Sequence, residues 1–122
     1  MTMRWFIVVV TALAVLAPVQ PANAHAQLDH AQPAAGAKLK VAPAVIDLWF
    51  TEAIEPKFSS IVVQNAKGVA MQDGGVMSAP GNAAQITVKL KSLPPGTYKV
   101  LWRVLSVDTH RTQGSFSFSV GP

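Results

Sequence analysis

Ser115 to Val120 reads SFSFSV, and Gln85 to Lys91 reads QITVKLK. In both stretches apolar and polar residues alternate with a period of two. That is the pattern of a strand with one face on a core and the other in water. Phe116, Phe118 and Val120 fall on one side of the first stretch, with serines on the other. In the second, Ile86, Val88 and Leu90 oppose Thr87, Lys89 and Lys91. Working outward, Val45 to Phe50 aligns Ile46, Leu48 and Phe50, and Ser60 to Gln64 is another apolar, β-branched run. Thr97 to Val107 is long and apolar at both parities, which predicts a central strand covered on both faces. Turn signals separate these runs: Pro33-Ala34-Ala35-Gly36, Ala66-Lys67-Gly68, Asp73-Gly74-Gly75, Pro80-Gly81-Asn82 and Pro94-Pro95-Gly96. Residues 69 to 84 are the least regular and read as a surface excursion with a short strand pair. No segment has the period of an amphipathic helix. The expectation is an all-β domain, an immunoglobulin-like Greek-key sandwich or barrel of about seven strands.

The chain has 122 residues, which suits one domain. Its start has a different character. Arg4 precedes an apolar run from Trp5 to Ala17, Pro18 and Pro21 follow, and Ala22-Asn23-Ala24 offers small residues at the cleavage positions. This is the composition of a secretory signal peptide, residues 1–24, cut after Ala24. The run is shorter than the ~20 residues that span a bilayer. The mature domain is then 25–122 and begins His25-Ala26-Gln27-Leu28.

Composition excludes several classes. The absence of cysteine rules out disulfides, thiolate metal sites and cysteine catalysis. The formal charge of +4 falls by one when Arg4 is removed. The remaining lysines and arginines are scattered and not interleaved with aromatics, so nucleic acid is not the expected partner.

The three histidines are His25, His30 and His110. A free N-terminal histidine offers an amine and an imidazole nitrogen that can close a chelate ring on one ion. Both must be deprotonated to bind. Asp108 and His110 are two residues apart, so on an extended chain their side chains share a side. Together these groups make a set of nitrogen and oxygen donors, which suits Cu(II) and, tetrahedrally, Zn(II). Taken alone, Asp-x-His reads first as an ordinary strand end where Asp108 caps a turn or pairs with Arg111.

The mature sequence resembles the CopC family of periplasmic copper-resistance proteins. The resemblance rests on His25-Ala26-x-Leu28, Pro33-Ala34-x-Gly36, Leu48-x-Phe50-x-Glu52, Leu93-Pro94-x-Gly96-x-Tyr98-x-Val100-x-Trp102-Arg103, and Ser106-x-Asp108-x-His110 followed by Gly114-x-Phe116-x-Phe118-x-Val120. It implies an immunoglobulin-like Greek-key fold and a Cu(II) site built from the His25 amine and imidazole, Asp108 and His110. It further implies a periplasmic, monomeric, non-catalytic protein that buffers copper or delivers it to an inner-membrane copper transporter. Two departures stand out. Some members hold Cu(I) in a methionine-rich loop, whereas the mature chain has only Met71 and Met77, which read as loop or core fillers. Gln27 stands where some members carry another histidine. A single Cu(II) site and no Cu(I) site are therefore expected. His30 lies at an odd offset from His25 and reads as a surface residue. The competing readings are a copper-dependent oxidative enzyme of the N-terminal-histidine type and an immunoglobulin-like module that binds no metal.

Overall fold

The period-two runs become strands. The computed structural model describes residues 26–122 together with Thr11, Ala12 and Ala14. Apart from those three residues, the segment read as a signal peptide lies outside the described residues, and so does His25. The strands are β1 (Leu28–Gln32), β2 (Lys38–Leu39), β3 (Val45–Phe50), β4 (Ser60–Gln64), β5 (Met77–Ala79), β6 (Asn82–Lys89), β7 (Gly96–Leu105) and β8 (Arg111–Val120). A short 3-10 turn, Pro56–Phe58, sits between β3 and β4. Among the described residues no helix is long and apolar enough to cross a membrane.

The strands form two four-stranded sheets, ordered β1-β3-β6-β5 and β2-β8-β7-β4. Only β5–β6 and β7–β8 are joined within a sheet; every other connection changes sheet. The pairings are antiparallel except for β2, which runs parallel to the end of β8. The all-β expectation holds. The strand count is eight among the described residues rather than about seven, because β2 and β5 are too short to show a period.

One core fills the space between the sheets. Ile46, Leu48, Ile86 and Val88 enter from the first sheet, and Ile61, Val63, Val100, Val104 and Phe118 from the second. Burying each such side chain is worth about 1.5–3 kcal/mol against leaving it in water. Tyr98 joins this core and stacks on Phe118 at 5.6 Å between ring centroids. Its hydroxyl donates to the carbonyl of Pro94, so the one polar atom of the ring is satisfied. The expectation that β7 is covered on both faces is corrected. Its even-numbered residues point inward, whereas Lys99 and Arg103 are exposed and Leu101 and Leu105 are half-buried on the solvent face. An antiparallel sheet needs cover on one face only.

Trp102 lies at the margin of the core, edge-on to Phe50 at 5.2 Å. Its cross-strand partner is Gly114. A Cβ built on Gly114 would come within 2.5 Å of the Trp102 ring, closer than side chains tolerate. Gly114→Ala is therefore expected to push the indole off its seat and to cost about 1–3 kcal/mol, the usual range for overpacking. Urea unfolding measures this, and a variant as stable as the parent would show that the ring has room to move.

Candidate metal centre

The hairpin joining β7 to β8 carries two of the three residues expected to bind metal. Beyond Leu105, the next inward position of β7 is Ser106, which is fully buried. Its backbone N–H donates to the His110 carbonyl at 3.0 Å, and the Thr109 N–H donates to the Ser106 carbonyl at 2.9 Å. Three residues, Val107, Asp108 and Thr109, thus turn the chain. The last has φ 72°, the left-handed region. Three-residue hairpin loops call for a residue in that conformation. It costs a non-glycine residue roughly 1–2 kcal/mol.

The structure brings Asp108 and His110 together, by a different route from the one expected. On extended backbone they would share a side by alternation. They stand instead on either side of the left-handed Thr109, in a turn. His110 Nδ1 lies 3.4 Å from Asp108 Oδ1, with the two side chains 45% and 40% exposed respectively. The Val107 N–H donates to the carbonyl of Ala53 at 3.0 Å, and the Glu55 N–H to that of Leu105 at 2.8 Å. These bonds brace the hairpin against the segment that follows β3.

Ser106 is the residue that sequence reasoning missed. Its hydroxyl donates to Asp108 Oδ1, and Ser106 Oγ in turn accepts from the His110 N–H at 3.3 Å. One buried side chain therefore holds the carboxylate and the backbone of the imidazole residue. The signal was available: a serine continues the inward series Tyr98, Val100, Trp102, Val104. A polar group at a core parity needs a partner. The hydroxyl is also the main reason why the Asp108 carboxyl titrates below its ordinary value of 3.8. Partial desolvation opposes this, and the His110 side chain adds to the lowering. The stability carried by this carboxylate is complete above the ordinary value and is lost as pH falls through the lowered one. Ser106→Ala is expected to move the Asp108 titration back up. A carboxyl NMR titration reads this directly, and an unmoved Asp108 would mean that the hydroxyl does not govern it.

Thr112 is a second positioning residue. Its hydroxyl donates to the carbonyl of Ala26 at 2.8 Å, and Ala26 is fully buried. Gln27 continues the attachment: its N–H donates to Thr51 Oγ1, and its carbonyl accepts from the Thr51 N–H, both at 2.9 Å. The residue bonded to His25 is thereby fixed two positions along β8 from His110.

Among the described residues no group of three or more His, Asp or Glu side chains converges. Asp108 and His110 bring one oxygen and one nitrogen donor to the same place. Donors bound ~2.0 Å from one ion are about 2.8 Å apart at right angles and about 3.3 Å apart tetrahedrally. The observed spacing needs only a small adjustment for both to reach one ion. His30 is exposed, bonded to Asp29 Oδ2 at 2.7 Å and stacked on Trp49 at 4.3 Å. Met71 packs half-buried against the core, while Met77 is 41% exposed on β5.

The model of the CopC domain family matches residues 28–121. Protein YobA of Escherichia coli K12 is 41% identical over 98 residues, covering 80% of this chain and 79% of that protein. Copper resistance protein C of Xanthomonas campestris pv. juglandis is 40% identical over 106 residues, covering 81% and 82%. Copper transport protein CutJ of Bacillus subtilis is 33% identical over 119 residues, which are 97% of this chain but 22% of that protein. The crystal structure of CopC from Methylosinus trichosporium OB3b superposes with a TM-score of 0.76 at 31% identity, covering 80% of this chain and 95% of that one.

Proposed function

This chain belongs to the CopC family, and on that footing we propose that it is a periplasmic Cu(II)-binding protein that buffers copper or hands it to an inner-membrane copper transporter. The family is one of copper-binding resistance proteins, not of enzymes. Copper is cargo here, and the chain supplies donors. The observation that carries the reading is the Asp108–His110 pair, 3.4 Å apart at the tip of a braced hairpin. Its oxygen and nitrogen donors suit Cu(II) better than the softer Cu(I). His25 would complete the set with its amine and imidazole once cleavage after Ala24 frees the amine. The Thr112–Ala26 bond supports this, because it holds the adjoining peptide beside the hairpin.

Two features support a Cu(II) site without a Cu(I) companion. Only Met71 and Met77 lie in the described domain, and one of them is spent on packing. Delivery to a membrane partner draws support from the match to CutJ, a copper transport protein of which this chain resembles one part. The protein is proposed to act as a monomer.

Copper titration of the processed protein, followed by EPR, tests the site. One equivalent of Cu(II) is expected to give a nitrogen-coordinated signal. His110→Ala and one extra residue ahead of His25 are each expected to weaken binding by at least about 10–100-fold. Affinity is expected to fall as pH falls, because protons compete for the imidazole and amine nitrogens. Unchanged affinity in both variants would place the site elsewhere.

A further inference from the structure

The solvent face of the β2-β8-β7-β4 sheet has a one-sided charge. Its outward residues include Val62 on β4, Lys99, Leu101 and Arg103 on β7, and Arg111 on β8. No Asp or Glu occurs anywhere in β4, β7 or β8. Register places Arg103 between Ser60 and Gln113, and Arg111 opposite Leu105. Lys57 adds a further cation from the 3-10 turn. Among the described residues, no carboxylate lies within ion-pair distance of Lys57, Lys99, Arg103 or Arg111. Arg111 donates instead to the Phe58 carbonyl at 3.3 Å. Glu55 and Asp108 border the face, the first at the entry to the 3-10 turn and the second at the hairpin tip.

The face also carries two open depressions. A depression of about 470 Å³ lies among Lys57, Phe58, Arg103 and Arg111. A second, of about 420 Å³, lies among Val62, Leu101, Arg103 and Ser115. Both share Ser60 and Arg103, so they adjoin, and together they make a shallow trough on this face. Its floor mixes guanidinium groups with half-buried aliphatic side chains, and Phe58 stands at its edge, 59% exposed. Such a surface rewards a ligand with carboxylates for the cations and an apolar side chain for Val62, Leu101 and Phe58. A bilayer surface has the charge but not the relief, since it cannot fill a trough.

We propose that this trough is the docking surface for an acidic, extended polypeptide segment of a partner protein. Arg111 is covalently next to His110, so a segment seated here lies alongside the proposed donor pair. The role in copper handover rests on the function proposed above, whereas the binding itself does not. Guanidinium groups are suited to this task because their fork matches a carboxylate with two hydrogen bonds. Attraction between complementary charges would steer the encounter and weaken with salt.

The test uses the protein as its host processes it, without copper, and a labelled oligoglutamate peptide containing one phenylalanine. Heteronuclear NMR shifts are expected to concentrate on Lys57, Phe58, Arg103 and Arg111. Arg103→Glu combined with Lys57→Glu is expected to weaken binding about tenfold or more, while Lys38→Glu with Lys40→Glu has little effect. Arg103→Gln serves as a milder variant if charge reversal disturbs the fold, with a smaller loss expected in the same direction. Shifts spread over every lysine, or equal loss in the control, would overturn the proposal in favour of general electrostatics. Binding to phosphatidylglycerol vesicles without binding to the peptide would overturn it in favour of a membrane. Displacement of the peptide by an equal concentration of inorganic phosphate would overturn it in favour of a small-anion site. Copper titration of the Arg103→Glu protein is read separately. Retained copper affinity with lost peptide binding shows that the trough and the metal site fail independently.

Discussion

Ten consecutive cross-strand pairs, from Gly96 opposite Val120 to Leu105 opposite Arg111, lock β7 to β8. Because side chains alternate with a period of two, this register decides which of them meet the core and which meet water. A slip of one residue would invert both faces. The inward parity carries Tyr98, Val100 and Val104 into the core and ends on buried Ser106, which then bonds Asp108. The outward parity collects Lys99, Arg103 and Arg111 on one solvent face. The donor pair and the cationic trough are therefore two products of one ladder. A change that shifted the register would disturb both together.

The domain achieves this without covalent staples. There is no cysteine to shorten the unfolded chain, so the two sheets rely on apolar burial and on polar groups that find partners. Among the described residues no buried side-chain nitrogen or oxygen lacks a hydrogen bond. Ser106 and Tyr98 show how: each is a polar group at a core position, and each is turned to a task at the edge of the sandwich. Tyr98 ties its strand back to the Pro94 carbonyl, and Ser106 ties the turn to the strand below it. The strained backbone at Thr109 is held by the bonds around it and keeps the two donors on either side of a sharp bend.

Much of this was legible in the sequence where one face is buried and the other wet. The runs Val45–Phe50 and Ser60–Gln64 are strands with those same limits, the first marked by Ile46, Leu48 and Phe50 at one parity and the second by its apolar, β-branched residues. The alternation in SFSFSV captured only the end of β8. Its first residues, Arg111 to Gly114, have no apolar series, since Gly114 leaves its inward space to Trp102. β6 likewise starts at Asn82, ahead of its apolar run. β2 has no period at all and exists only because the end of β8 offers a free edge. In the β7–β8 hairpin, residue types single out Asp108 and His110 but do not give their local geometry. Alternation cannot foresee a left-handed residue that is not glycine. Ser106 stands out by parity, as a serine that closes the inward series of β7, but its bond to Asp108 depends on where that strand ends, which the pairing of Leu105 with Arg111 fixes.

The contrast between the hairpin and the Ala26–Thr112 bond also has a kinetic meaning. Asp108 and His110 sit on a hairpin whose strands are joined by three residues, and such units close within about 1–10 μs. The bond from Thr112 to Ala26 spans 86 residues. Loop-closure entropy grows with that separation and delays contacts of this kind. The hairpin that carries Asp108 and His110 is thus of a fast-closing kind, and the contact that brings Ala26 beside it is of a slow one.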